Sequence, residues 1–279
     1  MISVIQLGTV DYATGLRLQQ RLVELRKEGR VGDVLLLLEH TPVITLGRNA
    51  KSKNIVASPE ALAQRGVEVF ECDRGGDVTF HGPGQVVAYP IFDLRGFSTP
   101  DWKRKTLGAI EYVRRLEEVL IRTCADFGIP AKRIPCLTGV WTSPDKVGSN
   151  LRPGQGESET RLHTSASEAK IAAIGVHISR AVTSHGFALN VNTDLSYFNL
   201  IIPCGIECKP VTSMQEELAK EIPLQDVAHS ISRNCGVVFE NQILWLESLA
   251  ALRGESVGVP MKAPAELRQV REEEDTFWA

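Results

Sequence analysis

The chain has 279 residues, 43% of them hydrophobic and 23% charged, with a formal net charge of −3. Such a composition suits a globular protein with one large core or two smaller ones, and the charge excludes a nucleic-acid binder acting through bulk electrostatics. The uncharged apolar runs Val34 to Leu38 and Val86 to Phe92 are too short to span a bilayer, the segment from Met1 to Gly8 has no basic leader, and six cysteines are spread without a dense framework, so the sequence reads as a soluble cytoplasmic protein with reduced thiols.

In chain order, Ser3 to Leu7 predicts a first strand. Leu18, Leu22 and Leu25 recur at helical spacing and predict a helix from Thr14 to Glu28, ended by Gly29. Val34 to Glu39 reads as a buried strand, interrupted at Glu39-His40-Thr41-Pro42 and resumed over Val43 to Leu46. A short helix from about Ser58 to Gln64, with Pro59 in its first turn, precedes a strand over Val67 to Glu71. Gln85 to Asp93 predicts another strand. The strongest predicted helix runs from Trp102 to Phe127, with Leu107, Ile110, Val113, Leu116, Leu120, Cys124 and Phe127 inward and Gly128 closing it. Cys124 is therefore expected as a core thiol.

Val140-Trp141 predicts a short strand. Residues 143–168 are almost free of apolar side chains and read as a polar surface insertion, with His163 solvated inside it. Lys170 to Ser179 and Val182 to Val191 predict an antiparallel pair joined around Arg180. Ser213-x-x-Glu216 is a capping box for a short helix, Leu224 to Asn234 predicts another, and Val237 to Phe239 a strand or its remnant. Paired strands interspersed with helices favour an α+β domain with a mixed sheet. One domain over residues 1–250, followed by a charged tail over 251–279, is the expected organisation.

The densest stretch is Arg74-Gly75-Gly76-Asp77-Val78-Thr79-Phe80-His81-Gly-Pro-Gly-Gln85, followed by the apolar run from Val86 to Phe92. Its glycines let main-chain N–H groups approach a ligand, and a plain hairpin does not need so many hydrogen-bonding side chains. It is not a nucleotide-binding fingerprint, and neither H-E-x-x-H nor G-x-S-x-G occurs. Among the cysteines, Cys204 sits on a turn between Pro203 and Gly205, flanked by Leu200, Ile201, Ile202 and Ile206. It is a nucleophile only if a neighbour holds its thiolate; otherwise it is an inert thiol. Lys170, His81, His177 and His185 are the available neighbours, with a solvated strand-end lysine as the plain alternative for Lys170. Cys204-x-x-x-Cys208 with His185 also admits a zinc reading, without the C-x-x-C spacing that would support it.

The glycine-rich stretch, Lys170-Ile-Ala-Ala-Ile-Gly-Val176, His185-Gly-Phe-Ala-Leu-Asn-Val191, Pro203-Cys204-Gly-Ile206 and the earlier Glu39-His40-x-Pro42-Val-x-Thr45-x-Gly47-Arg48, in that family's order, resemble the lipoate-biosynthesis octanoyltransferases. The resemblance implies an α+β fold of the biotin/lipoate protein ligase type, a mixed β-sheet flanked by helices. It implies transfer of octanoyl from acyl carrier protein to a lysine of lipoyl domains, on 2-oxoacid dehydrogenase E2 subunits and the glycine cleavage H protein. No cofactor, metal, nucleic acid or membrane is implied.

The family's acyl-thioester cysteine falls on Cys204 and its pKa-lowering lysine on Lys170. Its substrate-binding segments fall on Arg74 to His81, on Ala173, Ile174 and Gly175, and on Gly186, Phe187 and Ala188. Gly76 or Gly205 could supply oxyanion N–H groups, and Ile174, Phe80, Phe187 and Ala188 would give apolar walls. Arg48, Lys51 and Lys53, or Lys103-Arg104-Lys105, are the basic clusters available to an acidic carrier. The insertion before Lys170 reads as longer than the family's compact connection, and the resemblance is not traced into the tail after Phe239. Rival readings are an ATP-dependent biotin or lipoate ligase on the same fold, an inactive carrier-binding protein, and a zinc module.

Overall fold

Two sheets organise the chain in the computed structural model, which describes residues 1–100, 104–142, 168–202 and 210–253. The first strand, β1 (Ile2–Val10), leads into helix α1 (Tyr12–Lys27). The Asp11 carboxylate caps α1 by accepting the Thr14 N–H at 2.9 Å, and Gly29 ends the turn at φ 72°. Next comes β2 (Asp33–His40), whose continuous apolar run is covered on both faces: Leu35 and Leu37 enter one core, Val34, Leu36 and Leu38 another.

The expected resumption of this strand after Pro42 is corrected. The strand β3 (Val43–Leu46) belongs to a second sheet, in which it lies between β4 (Glu68–Glu71) and β5 (Val78–His81). The chain changes sheet at Thr41-Pro42, because Pro42 cannot continue the ladder. The short helix α2 (Pro59–Gln64) forms as predicted, capped by Ser58. The glycine-rich stretch is half strand: β5 lies inside it, with Thr45 opposite Thr79 and Ile44 opposite Phe80.

The large sheet continues through β6 (Gln85–Ile91). Helix α3 (Ala109–Asp126) starts later than its periodicity suggests. Leu107 is indeed core, but in an extended lead-in whose N–H donates to the Leu94 carbonyl at 3.0 Å, and Gly108 is the N-cap. Tyr112, Leu116, Val119, Leu120 and Cys124 face inward, whereas Ile110 is 80% exposed. A hairpin of β7 (Ala131–Ile134) and β8 (Leu137–Thr142) follows, the first of them unforeseen.

The predicted pair β9 (Lys170–Ser179) and β10 (Val182–Asn190) is present, with Ser179 opposite Val182. Its two turn residues, Arg180 and Ala181, both take positive φ (51° and 69°), the geometry that matches strand twist. Helix α4 (Met214–Leu218) is capped by Ser213, and α5 (Leu224–Val238) absorbs the residues read as a strand remnant, ending at Phe239. The true last strand, β11 (Ile243–Leu246), pairs parallel with β1.

The large sheet runs β11-β1-β2-β6-β10-β9-β8-β7 and the small one β4-β3-β5. Helices α3 and α5 close one face of the large sheet and α1 covers part of the other. The small sheet has its own core of Ile44, Leu62, Val67, Val78, Phe80 and Ile201. The insertion at 143–167, the tail from 254, His163, Lys103 and residues 203–209 with Cys204, Gly205 and Cys208 lie outside the described residues.

Candidate active site

A cavity of about 720 Å³ lies between the two sheets. One wall comes from β6, β9 and β10, the other from β5 and the residues that precede it. The period of two in β5 sorts its side chains: Thr79 and His81 line the cavity, while Val78 and Phe80 turn into the small core, where Phe80 stacks on Tyr197 at 4.6 Å. Phe80, expected as an apolar wall, is thus placed away from the cavity. Ala173, Ile174, Gly175, Gly186, Phe187 and Ala188 do line it, as do Gly76 and Asp77. Gly75 instead packs on β9: its N–H donates to the Val176 carbonyl at 3.0 Å, and a Cβ on Gly175 would stand 2.7 Å from the Gly75 oxygen.

Arg74 borders the cavity but is only 7% exposed, and its guanidinium is taken up inside the loop. It donates to the Thr45 carbonyl at 2.7 Å, to Thr45 Oγ1 at 2.9 and 3.1 Å, and to the Asp77 carbonyl at 2.7 Å. Asp77 also acts within the protein. Its carboxylate accepts from Asn54 Nδ2 at 2.6 Å and from the N–H groups of Val78 and Lys51, at 2.8 and 3.2 Å. These two charged residues shape the loop and tie the segment with Arg48, Lys51 and Lys53 to it; Lys51 and Lys53 stand on the cavity border.

Lys170 is 9% exposed, on the same cavity, with Nζ 4.7 Å from the centre of the Trp141 ring. Gly139, at φ 121°, makes room for it: a Cβ there would meet Lys170 Cε at 3.5 Å and the Ala172 oxygen at 2.7 Å. The Lys170 N–H donates to the Pro210 carbonyl at 2.8 Å, and the Thr212 N–H donates back to the Lys170 carbonyl at 3.0 Å. Ile202 lines the cavity, its N–H bonded to the Asn54 carbonyl at 2.7 Å. The segment that holds Cys204 therefore leaves from the cavity wall at Ile202 and returns to Lys170 at Pro210.

Three histidines border or underlie the cavity. His40 is held between the Val10 carbonyl (2.7 Å) and the Tyr89 hydroxyl (2.6 Å). Burial pushes its pKa down to about 4 and that of His81 down to about 3, so both rings are neutral at pH 7. His185 takes a left-handed φ of 54°, which turns its ring toward Asp73, with Nε2 2.7 Å from Oδ1. Burial lowers the His185 pKa, opposed by Asp73. His177 is 3.5 Å from Asp73 and accepts from Arg48 at 2.7 Å.

Tyr12, Tyr89, Asn54 and Cys136 also line the cavity without having been singled out in the sequence. Tyr12 lies ahead of the helix predicted from Thr14 and opens α1 in the structure, and Cys136, exposed at the β7–β8 turn, carries no motif. Among the described residues no group of three or more His, Cys, Asp or Glu side chains is placed to hold a metal ion, and no helix is long and apolar enough to cross a membrane.

A mixed sheet with a smaller sheet over a lysine-bordered cavity defines the class. Residues 11–236 match the family model for the lipoyl protein ligase A/B catalytic domain. A bipartite lipoate protein ligase from Thermoplasma acidophilum superposes with a TM-score of 0.61 at 14% identity, covering 88% of this chain and 86% of its own. Lipoate-protein ligase A bound with ATP gives 0.59 at 14% identity, covering 89% of each chain. At these identities the likeness concerns the fold alone.

Sequence relatives narrow the class. An octanoyltransferase of Koribacter versatilis is 58% identical over 98% of both chains, and one of Acidobacterium capsulatum is 54% identical over 89% of this chain and 94% of its own. The chain belongs to the octanoyltransferase family, a family of acyltransferases that act in protein lipoylation.

Proposed function

We propose that the chain takes octanoyl from an acyl carrier protein onto Cys204 as a thioester and passes it to the lysine amine of a lipoyl domain, in the cytoplasm. Acceptors would be lipoyl domains of 2-oxoacid dehydrogenase E2 subunits and the glycine cleavage H protein. The observation that carries this reading is the anchoring of the Cys204 segment. It leaves the cavity at Ile202, two residues before the thiol and so within about 7 Å of chain reach, and it returns to the backbone of Lys170. Residues 1–250 would form one catalytic domain.

In the first step the Cys204 thiolate, held by the Lys170 ammonium, attacks the carrier's thioester carbonyl. The C–S bond to the carrier breaks, and its departing sulfur takes a proton from Lys170. In the second step the acceptor's amine attacks octanoyl-Cys204, its proton passes to the now neutral Lys170, and the Cys204 thiolate leaves. Ala173, Ile174, Phe187 and Ala188 on the cavity wall bury the acyl chain, at about 0.8 kcal/mol per methylene. Lys51 and Lys53 on the border, with Arg48 nearby, would meet the acidic carrier.

The experiment is to mix the protein with octanoyl-loaded carrier without ATP and map the adduct by mass spectrometry. Wild type and Cys136→Ala carry octanoyl on residue 204. Cys204→Ala carries none, and Lys170→Ala acylates at least ~10²-fold more slowly. An adduct on Cys136, or an absolute need for ATP as in the ligase alternative, rules the mechanism out.

A further inference from the structure

Between β5 and the start of β9 runs a line of buried polar side chains whose hydrogens are fixed by geometry. Asn190 Nδ2 is 2.9 Å from the Thr212 carbonyl oxygen, which can only accept, so the amide NH₂ faces it. Asn190 Oδ1 then faces Gln85, directly opposite on β6, and accepts from Gln85 Nε2 at 2.9 Å. The same Nε2 donates to the Phe80 carbonyl at 3.2 Å, which fixes the Gln85 amide independently. Gln85 Oε1 must therefore accept from His81 Nδ1, 2.8 Å away. With Nδ1 protonated and burial keeping the ring neutral, His81 Nε2 is a bare acceptor. Thr45 Oγ1 lies 3.5 Å from it and already accepts two N–H bonds from Arg74, so its own hydrogen points to the histidine. At the far end the Thr212 N–H donates to the Lys170 carbonyl. From Arg74 through Thr45, His81, Gln85 and Asn190 the side chains donate one to the next in a single direction as far as the Thr212 carbonyl, and the 210–212 segment is in turn bonded to the Lys170 backbone in both directions. Bonds aligned in one direction polarise each other, and the line has no spare partner if one member is reversed.

We propose that His81, Gln85 and Asn190 are positioning residues for acyl transfer, a one-way relay that sets Lys170 and the 210–212 segment against the glycine-rich loop. This rests on Lys170 having the role given above. Gln85 is 2% and Asn190 4% exposed, and neither lines the cavity, so both act through the 210–212 segment that is bonded to the lysine's backbone. The relay joins the two walls at the level where the thiol segment is anchored. It fixes the lysine's height relative to the loop that borders the acyl site.

Asn190→Asp keeps the shape but sets an oxygen against the Thr212 carbonyl. Gln85→Glu keeps the His81 bond and reverses the next. At saturating octanoyl carrier, each is expected to slow single-turnover formation of octanoyl-enzyme ~10-fold or more, with carrier KM within about 2-fold of wild type. The double variant is expected to be no slower than the worse single one, because both break one line. Additive rate effects, a loss confined to KM, or a lowered Tm with an unchanged rate per folded molecule would overturn the relay, as would failure of both variants to fold at any temperature. Lys170→Ala separates the two readings. If it acylates at the wild-type rate, the lysine's role fails. If it is slow while Asn190→Asp is fast, only the relay fails.

Discussion

The two faces of the large sheet are made by the same strands and closed in different ways. On one face α3 and α5 pack over Leu35, Leu37, Ala88, Val140 and Leu189, with side chains from Tyr112, Leu116, Leu120 and Ile231 filling the layer. Its two thiols, Cys124 and Cys235, are fully buried, and burial pushes each up to about 12, so they remain inert. The fully buried Glu117 side chain is met there by Arg114 at 2.6 Å and Arg133 at 3.1 Å. On the other face α1 covers only part of the sheet, and the small sheet completes the cover at a distance that leaves the cavity. Under α1 that face is apolar too, with Leu18, Leu22, Val34, Leu36 and Leu38, but around the cavity the buried side chains include the polar His40, Arg74, His81, Gln85 and Asn190. Dispersion and apolar burial hold the first face and the α1 end of the second, while the part beneath the small sheet gives up packing to keep directed hydrogen bonds around a space.

The contrast can be broken at three points. Leu116→Ala, on the dry face, should lower unfolding free energy by about 2–5 kcal/mol, read by urea denaturation, with acylation per folded molecule unchanged. A matching loss of acylation rate would show that the faces are not independent. The polar face should respond to pH instead. His40 and His81 have folded pKa values depressed to about 4 and about 3, so the unfolded chain binds protons first as pH falls below ~6.5. Stability from these rings is fully present above ~6.5 and is lost toward pH 4, at up to about 1.4 kcal/mol per pH unit for each. Carboxylates held low, such as Asp93 beside Arg95 and Glu118 beside Arg133, act at lower pH, below about 4. Thermal melts between pH 7 and 5 should therefore fall in wild type and fall less in a His81→Gln variant; parallel curves would refute the assignment. The smallest effect belongs to the cavity border. Lys51→Glu with Lys53→Glu should raise the carrier KM several-fold, about 1 kcal/mol, with kcat held, and the change should shrink in salt. Unchanged affinity would remove that border from carrier docking.

The parts of the fold that were legible in the sequence are those with local causes. Leu18, Leu22 and Leu25 gave α1 its stripe, Ser213 its cap to α4, and the apolar run Val34 to Leu38 is buried because both faces of β2 are covered. Where the reading failed, a long-range choice decided. Val43 to Leu46 has strand character, and nothing local says which sheet it joins. Ile110 has the right spacing yet sits at the exposed start of α3, because the lead-in bonded at Leu94 sets where that helix begins. Val237 was read as strand because apolar β-branched residues at a helix end look the same. At the cavity, the resemblance brought Lys170 and the glycine-rich stretch forward together, and both line one space. The bond between Gln85 and Asn190 spans 105 residues, and no local pattern announces it.

The placement of β1 bears on how the sheet is completed. Its neighbour β2 follows after one helix, but the strand on its other side, β11, is the last of the described chain, with Ile2 opposite Ile243. A ribosome makes the first of these partners early and the second only after nearly all the catalytic residues. For that interval the nascent sheet presents an open row of main-chain donors and acceptors, and closing it spans a loop of more than two hundred residues. The entropy of such a loop grows only logarithmically with its length, so the late strand delays assembly more than it weakens the finished protein.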